Sequence, residues 1–289
     1  MKRIIAVLLA LSISLLWGCS APSKAAQVVA TTLPVYEFTA AICENTDITV
    51  TRLITESVSC LHDYTLQVTQ AKALEQAQLI VINGAGLEDF LTDVIAPDKP
   101  VINATGILVD CEEEGHDHDH EHDHAVDPHL WLSVTKDRLM AENIYNGLVA
   151  QFPEKEAAFT ANYEALAQKF DALAAYAEAQ LSGITKRNIL TFHDGFSYLA
   201  ADFGINIVHA IEEESGSEAS AKELIEMVQL VQTHQVGAIF TEINGSVSAA
   251  GIISSETGVP VYALDMAMGG DSYFDAMYYN IDILKEALQ

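Results

Sequence analysis

The feature that most constrains this chain is a pair of matching groups of short apolar segments on either side of one long helical stretch. Each group has four segments rich in β-branched residues. They are residues 28–32, 48–54, 79–82 and 101–103 in the first group, and 188–192, 205–209, 236–241 and 259–264 in the second. Helical patterns, such as residues 66–78 and 220–234, separate them. Strands that alternate with helices imply parallel sheets, so the predicted fold class is α/β with two parallel-sheet lobes.

The stretch between the two groups predicts one long helix. Residues 154–181 are rich in Ala, Glu, Gln and Leu, without an internal Gly or Pro, and Pro153 suits a first helical turn. A helix of this length is about 42 Å long. Its apolar residues recur at three- and four-residue steps and form one stripe, which consists of Phe159, Tyr163, Leu166, Phe170, Leu173 and Tyr176. A coiled-coil seam is the alternative, but the protein's own lobes can cover one such stripe. We therefore expect a rigid link between the lobes.

These patterns divide the chain into predicted domains. Residues 28–132 form the first lobe, which includes a histidine-rich loop at 112–125. Residues 133–185 form the linking helices, and residues 186–289 form the second lobe. Each lobe has about a hundred residues, which is within the usual range for a domain.

The N-terminus predicts export from the cytoplasm. Lys2 and Arg3 precede an apolar run at residues 4–17, which is too short to span a bilayer comfortably and is typical of a signal peptide. The ending LWGC resembles a bacterial lipobox, so residues 1–19 are interpreted as a lipoprotein signal with Cys19 as the lipidated residue. Residues 20–27 suit a tether to the membrane. An ordinary signal peptide that is cut near residues 21–26 is the alternative.

The charge and the cysteines limit the possible partners and crosslinks. The formal net charge is −27, which argues against nucleic-acid binding and favours the attraction of cations. Cys43, Cys60 and Cys111 remain after the predicted signal, so at most one internal disulfide can form. Which two cysteines would pair stays open. A metal-binding role for Cys60, close to His62, is a further alternative.

A histidine-rich run indicates metal capture. Five histidines alternate with Asp and Glu, with no apolar residue to bury, so we expect a mobile loop that binds metal weakly. They are His116, His118, His120, His122 and His124. A solvated acidic spacer is the alternative reading.

Four further residues stand where parallel sheets usually present ligands, beyond the carboxyl ends of strands. His62 follows the second predicted strand, His193 and Asp265 directly follow strands of the second lobe, and His129 stands where the first lobe ends. Each alone has an ordinary structural explanation, such as a loop residue or a helix cap. Together they suit Zn²⁺ in a cleft between the lobes, or Mn²⁺ or iron less selectively. Glu242, which ends a predicted strand, could orient one imidazole.

At these residues the chain resembles the metal-binding receptors of bacterial ABC importers for zinc and manganese, of the ZnuA, AdcA and TroA kind. The resemblance covers nearly the whole chain after the signal. It rests on the segments LHDY, NGAGLEDFL, DPHLWL, HDGFSYLA and the closing stretch that begins LDMAMGG. It implies that the metal ligands are His62, His129, His193 and Asp265.

Departures from the family pattern bear on the fourth ligand and on the metal. Leu61 stands where proline is common, and Met266 replaces a proline common after Asp265 in zinc-type members. Water, Glu56 or Asp271 are therefore alternatives to Asp265. Manganese-type members usually carry glutamate at the position of His193, and the histidine-rich loop is similar to that of zinc receptors.

The resulting hypothesis is an extracytoplasmic, lipid-anchored, monomeric zinc receptor that delivers its metal to an ABC permease and its ATPase, and that is not an enzyme. A manganese receptor of the same type is the nearest alternative. An exported zinc hydrolase would use three histidines and an open position for water, but the sequence has neither an HExxH nor a GxSxG motif. An adhesin is the third alternative.

Overall fold

The computed structural model describes residues 26–56, 58, 61, 64–106, 126–211 and 220–289. It contains two sheets of four parallel strands, which confirms the predicted fold class. The first sheet has the order β2-β1-β3-β4, with β1 (Ala26–Ala30), β2 (Ile48–Arg52), β3 (Leu79–Ile82) and β4 (Val101–Asn103). The second has the order β6-β5-β7-β8, with β5 (Asn188–Thr191), β6 (Asn206–Ala210), β7 (Ala238–Glu242) and β8 (Val261–Leu264). The two lobes thus repeat one topology.

The strand bounds agree with the sequence patterns to within two residues. Strands β3 and β4 have the predicted bounds. Strand β1 begins at Ala26, because Ala26 already pairs with Ile48 of β2. It therefore includes two residues that the sequence analysis assigned to the tether.

Helices cover the sheets and connect them. The first lobe has α1 (Leu33–Ile42) and α2 (Val68–Gln76), the link has α3 (Asp137–Gln151) and α4 (Glu156–Leu181), and the second lobe has α5 (Ser197–Asp202), α6 (Ala221–Thr233), α7 (Ser248–Thr257) and α8 (Tyr273–Leu288). Single 3₁₀ turns occur at Asp89–Leu91, Leu130–Leu132 and Pro153–Lys155. In these described ranges, the helices lack the length and apolar character that a bilayer span requires.

Helix α4 is the long connecting helix that the sequence predicted. It begins two residues later than expected, because Pro153–Lys155 forms a separate 3₁₀ turn. Its 26 residues make a helix about 39 Å long. Phe159, Leu166, Phe170 and Leu173 of the predicted stripe are buried, and the helix packs against α1, α3 and α8. Helix α4 therefore contacts elements of both lobes along its length.

Aromatic side chains and a buried polar chain join the lobes behind the cleft. Phe38 of the first lobe makes edge contacts with Phe170 of α4 and Tyr273 of the second lobe, at centroid distances of 5.0 and 4.9 Å. The Tyr273 hydroxyl lies 2.7 Å from the Trp131 carbonyl oxygen and 3.1 Å from Asp137 Oδ2. Burial raises the pKa of Asp137 to about 7, so below that pH its proton can bond to Tyr273 while Tyr273 donates to Trp131.

Of the cysteines, Cys43 is described, buried and free of a disulfide. Burial raises the pKa of its thiol to about 12, which keeps it protonated and unreactive at neutral pH. The predicted signal with Cys19, and also Cys60 and Cys111, lie outside the described residues.

Candidate metal centre

Two histidines, one from each lobe, face each other across the cleft. His129 Nε2 and His193 Nε2 are 3.3 Å apart, and the rings are nearly perpendicular. Both residues are buried, with 5% and 3% of their surface exposed. Two ligands at ~2.05 Å from one tetrahedral ion are themselves about 3.3 Å apart. The pair therefore already has the spacing of two ligands to a single Zn²⁺.

A local loop holds the imidazole of the first lobe. His129 immediately precedes the 3₁₀ turn Leu130–Leu132, in which Trp131 is fully buried. Asp127 Oδ1 accepts the backbone N–H of His129 at 2.9 Å and lies 2.8 Å from its Nδ1. Since this contact occupies Nδ1, Nε2 is the nitrogen that faces His193 and that could bind a metal. Asp127 was not among the residues predicted from the sequence, although its position two residues before His129 was a usable signal.

The sheet holds the imidazole of the second lobe. His193 stands two residues beyond β5, and its Nδ1 lies 3.1 Å from Oε1 of Glu242, the last residue of β7. Strand β7 pairs directly with β5, so their register brings the two side chains together. A Cβ atom at Gly195 would lie 2.6 Å from His193 Cδ2, so the glycine leaves room for the ring. Glu242 thus lies beside the imidazole of His193, and its predicted role in orienting a metal-binding imidazole stays a prediction.

A second layer of buried polar groups supports the His129 loop. Asn83, which follows β3, donates from Nδ2 to the carbonyl oxygen of Pro128 at 3.0 Å. Glu88 accepts the backbone N–H groups of Asn83 and Gly84 at 2.7 and 3.0 Å, and the Thr31 hydroxyl at 2.6 Å. Burial raises the pKa of Glu88, while these three donors oppose that rise. This network explains what the NGAGLE segment does in the fold.

The loop that is hydrogen-bonded to Glu88 has an uncommon backbone conformation. Gly84, Ala85 and Gly86 have φ values of +91°, +54° and +84°. Left-handed backbone is unfavourable for a residue with a side chain, such as Ala85, and persists only where surrounding contacts fix it. The Glu88 carboxylate supplies two such contacts, so it holds the loop in the conformation that reaches Pro128.

The structure does not place Asp265 in one cluster with the two histidines. Asp265 directly follows β8, and its Oδ1 accepts the Ala267 N–H at 2.8 Å. It lines a cavity of about 20 Å³ together with Glu242 and Met266, among others. In the part of the chain that the structure describes, no three His, Cys, Asp or Glu side chains form a group that could hold a metal. A metal-binding role for Asp265 stays a prediction.

The alternatives to Asp265 differ in their surroundings. The Glu56 carboxylate accepts hydrogen bonds from Tyr64 Oη at 3.1 Å and Gln67 Nε2 at 2.7 Å, which occupy both of its oxygens. Asp271 is exposed. Neither lies in a described cluster with the two imidazoles.

Several predicted metal-binding residues lie outside the described residues. They are His62 of the cleft and His116, His118, His120, His122 and His124 of the predicted loop. Leu61, which precedes His62, is described: it is fully buried, and its carbonyl oxygen accepts the Tyr64 N–H at 3.0 Å. The roles of these histidines stay predictions.

Comparison with known proteins assigns the family. The family model described as ZnuA, zinc-uptake complex component A, periplasmic, matches residues 28–287. The zinc-binding lipoprotein AdcA of Streptococcus pneumoniae is 31% identical over 99% of this chain, and the zinc-binding protein AdcA of Streptococcus pyogenes serotype M6 is 27% identical over 98%. The matched region spans 61% of the length of each of these curated relatives.

Solved structures share the fold. The Zn(II)-bound ZnuA-like domain of Streptococcus pneumoniae AdcA has a TM-score of 0.75 and 27% identity, over 91% of this chain and 98% of that one. FpvC of Pseudomonas aeruginosa in complex with Ni²⁺ has a TM-score of 0.78 and 27% identity, over 92% and 97%. With the family model matched from the first strand to the last helix, the chain belongs to the ZnuA family of zinc-uptake complex components.

Proposed function

We propose that this protein is the extracytoplasmic receptor of a zinc importer, which binds Zn²⁺ between its lobes and delivers it to an ABC permease and its ATPase. The observation that carries the proposal is the 3.3 Å separation of His129 Nε2 and His193 Nε2, with each Nδ1 beside a carboxylate. Family membership and the zinc-binding relatives support it.

The donor chemistry favours zinc over manganese. Neutral imidazoles suit Zn²⁺, whereas Mn²⁺ prefers carboxylate, carbonyl and water oxygens. Two buried imidazoles already meet in the cleft, and we propose that His62 and Asp265 complete a tetrahedral set. The carboxylates of Asp127 and Glu242 would then act on the imidazoles rather than on the metal.

The remaining parts of the chain fit the same role. We propose that Cys19 carries a lipid anchor and that the protein acts as a monomer on the outer face of the membrane. The net charge of −27 attracts cations to its surface. The five histidines from His116 to His124 would capture zinc transiently, and the cleft would retain it. Because α4 packs against both lobes, we expect release to involve a small rocking motion rather than wide opening.

Replacing the paired histidines tests the proposal. In zinc titrations against a competing chelator, His129→Ala and His193→Ala should each weaken the tight site more than 100-fold, since each removes a ligand. His209→Ala and His234→Ala are matched controls, because both histidines are exposed, and they should bind zinc like the wild type. Equal zinc affinity in all four variants would refute the assignment of the site. Tighter binding of Mn²⁺ than of Zn²⁺ in direct competition would refute the assignment of the metal.

Deletion of residues 116–124 tests whether the histidine-rich loop only captures zinc transiently while the cleft retains it. We expect the deletion variant to keep one tight site with unchanged affinity and to lose only weaker sites, as measured by calorimetry. Loss of the tight site would place the loop in the primary coordination sphere. A variant in which the same five histidines are replaced by serine controls for the change in chain length.

A further inference from the structure

One arginine joins the two lobes at the edge where the metal site lies. Arg52 is the last residue of β2, and its guanidinium donates to three backbone carbonyl oxygens. Nε donates to Ile54 at 2.6 Å within the first lobe. Nη2 donates to Met268 at 2.5 Å and Nη1 to Gly270 at 2.8 Å, both in the segment that follows β8 in the second lobe.

The contacted segment is bound at every second residue. The carbonyl oxygen of Met266 accepts the Trp131 Nε1–H at 2.7 Å, and those of Met268 and Gly270 accept Arg52. Donors of the first lobe therefore hold three alternate carbonyls of one second-lobe segment. Trp131 stands two residues after His129, so the same segment connects the His129 loop to the end of β2.

The backbone of this segment has two residues in the left-handed region. Ala267 and Gly270 have φ values of +53° and +74°, which is left-handed backbone. For Ala267 that conformation is unfavourable without support from its surroundings. Met268 is almost fully buried and Gly270 is exposed, so the segment runs from the protein interior to the surface.

Arginine is suited to hold such a segment. Its planar fork presents several donors in fixed directions, so one side chain can hold two carbonyls with little further loss of conformational entropy. Hydrogen bonds from a charged donor are also stronger than those between neutral groups. Asp271 and Glu56 are near enough to stabilise the guanidinium charge. A lysine at position 52 could form only some of the hydrogen bonds that Arg52 donates to the carbonyls of Ile54, Met268 and Gly270.

We propose that Arg52 is a positioning residue that controls how fast the bound metal leaves. It keeps the segment from Met266 to Gly270 closed on the first lobe, and the metal escapes when these hydrogen bonds break. The proposal rests on the zinc-receptor function above, because it concerns the release of that metal. Since α4 opposes wide separation of the lobes, a local latch of this kind is the smaller motion that can open the site.

The test compares Arg52→Gln and Arg52→Lys with Arg187→Gln. Arg187 is a matched control, because it also donates to backbone carbonyls, those of Phe203 and Gly204, but entirely within the second lobe. Zinc-loaded full-length protein is mixed with excess chromophoric chelator in a stopped-flow instrument, and zinc dissociation is followed. We expect Arg52→Gln to release zinc at least ten-fold faster, Arg52→Lys to be intermediate, and Arg187→Gln to stay within two-fold of the wild type. The zinc association rate should change less than two-fold in all three.

A change in the zinc dissociation rate without a change in the zinc association rate distinguishes a latch from a purely structural residue. Wild-type release rates in both Arg52 variants would overturn the proposal, and so would equal acceleration by Arg187→Gln. If Arg52→Gln fails to fold, Arg52→Lys supplies the test together with Trp131→Phe, which removes the Met266 hydrogen bond and also shortens a buried side chain beside His129. An unchanged release rate in both would overturn it.

A metal-independent measurement separates this proposal from the zinc-receptor proposal. Hydrogen exchange of the metal-free protein should show faster exchange in residues 266–271 for Arg52→Gln and not for Arg187→Gln. If the wild type fails to bind zinc tightly, the zinc-receptor proposal fails, whatever the exchange shows. If zinc binds tightly and neither exchange nor release changes in Arg52→Gln, only the latch is wrong.

Discussion

The two lobes repeat the same strand order, yet they hold their imidazoles in different ways. In the second lobe, His193 follows β5 and Glu242 ends the adjacent paired strand β7, and the Glu242 side chain is 8% exposed. In the first lobe, His129 and Asp127 belong to one short loop, and the Asp127 side chain is 28% exposed. One histidine is thus oriented by the register of a sheet and the other by a local turn.

This difference indicates where each half of the site obtains its rigidity. Glu242, the carboxylate partner of His193, belongs to β7, so its backbone cannot move without disturbing that strand. The His129 loop depends on further contacts, from Asn83 to Pro128 and from Trp131 to Met266. We therefore expect the second-lobe imidazole to be the more rigidly placed, and the first-lobe imidazole to be the one that adjusts if metal binds or leaves.

The largest effect on zinc binding among the supporting residues is expected at Glu242. Glu242→Gln keeps the size of the side chain but removes the buried charge beside His193 Nδ1. Loss of such a partner lowers metal affinity about 10- to 100-fold. Competition titration with a chelator measures this change, and an affinity within two-fold of the wild type would show that the sheet contact does not tune the imidazole.

A smaller effect is expected at Asp127. Asp127→Asn can still accept the backbone N–H of His129, and its partly exposed position weakens the lost electrostatic contribution. We expect zinc affinity to fall about three- to ten-fold, at the low end for loss of a ligand's carboxylate partner. If Asp127→Asn were more damaging than Glu242→Gln in the same titration, the proposed contrast between the lobes would be reversed.

The smallest effect on zinc affinity is expected at Asp137, where the change should instead appear in stability. The raised pKa of about 7 means that the folded protein binds a proton between about pH 4 and pH 7 that the unfolded chain lacks. This carboxyl group therefore lowers stability as the pH rises through that window, and the full cost is present above pH 7. Asp137→Asn mimics the protonated form and can still donate to Tyr273.

Thermal unfolding with and without zinc measures the outcome for Asp137→Asn. The variant should melt several degrees above the wild type at pH 8, and the difference should shrink towards pH 4. Zinc affinity should stay within two-fold. A variant that melts below the wild type at pH 8 would show that the ionised carboxylate, rather than the neutral one, stabilises the contact between the lobes.

Local patterns in the sequence predicted most of the fold. The β-branched segments gave the bounds of β3 and β4, and the long Ala-rich stretch predicted α4. Small shifts arose where neighbouring elements decide an end, as where Ala26 pairs with Ile48. Such pairing is not visible in the pattern of one segment.

The supporting contacts of the site were harder to predict than the histidines. His129 and His193 were identified because ligands collect at the ends of parallel strands. Arg52 and Met268, or Asn83 and Pro128, are far apart in the chain and meet only after the lobes have folded. The residue types alone do not predict those contacts, because arginine and asparagine form many kinds of surface contact.

The most direct test of the central claim is a crystal structure of the zinc-loaded protein with anomalous diffraction data on both sides of the zinc absorption edge. We predict a strong zinc peak between His129 Nε2 and His193 Nε2, within ~2.1 Å of each. A tightly bound zinc that contacts neither nitrogen, or that is held only by histidines of residues 116–124, would contradict it.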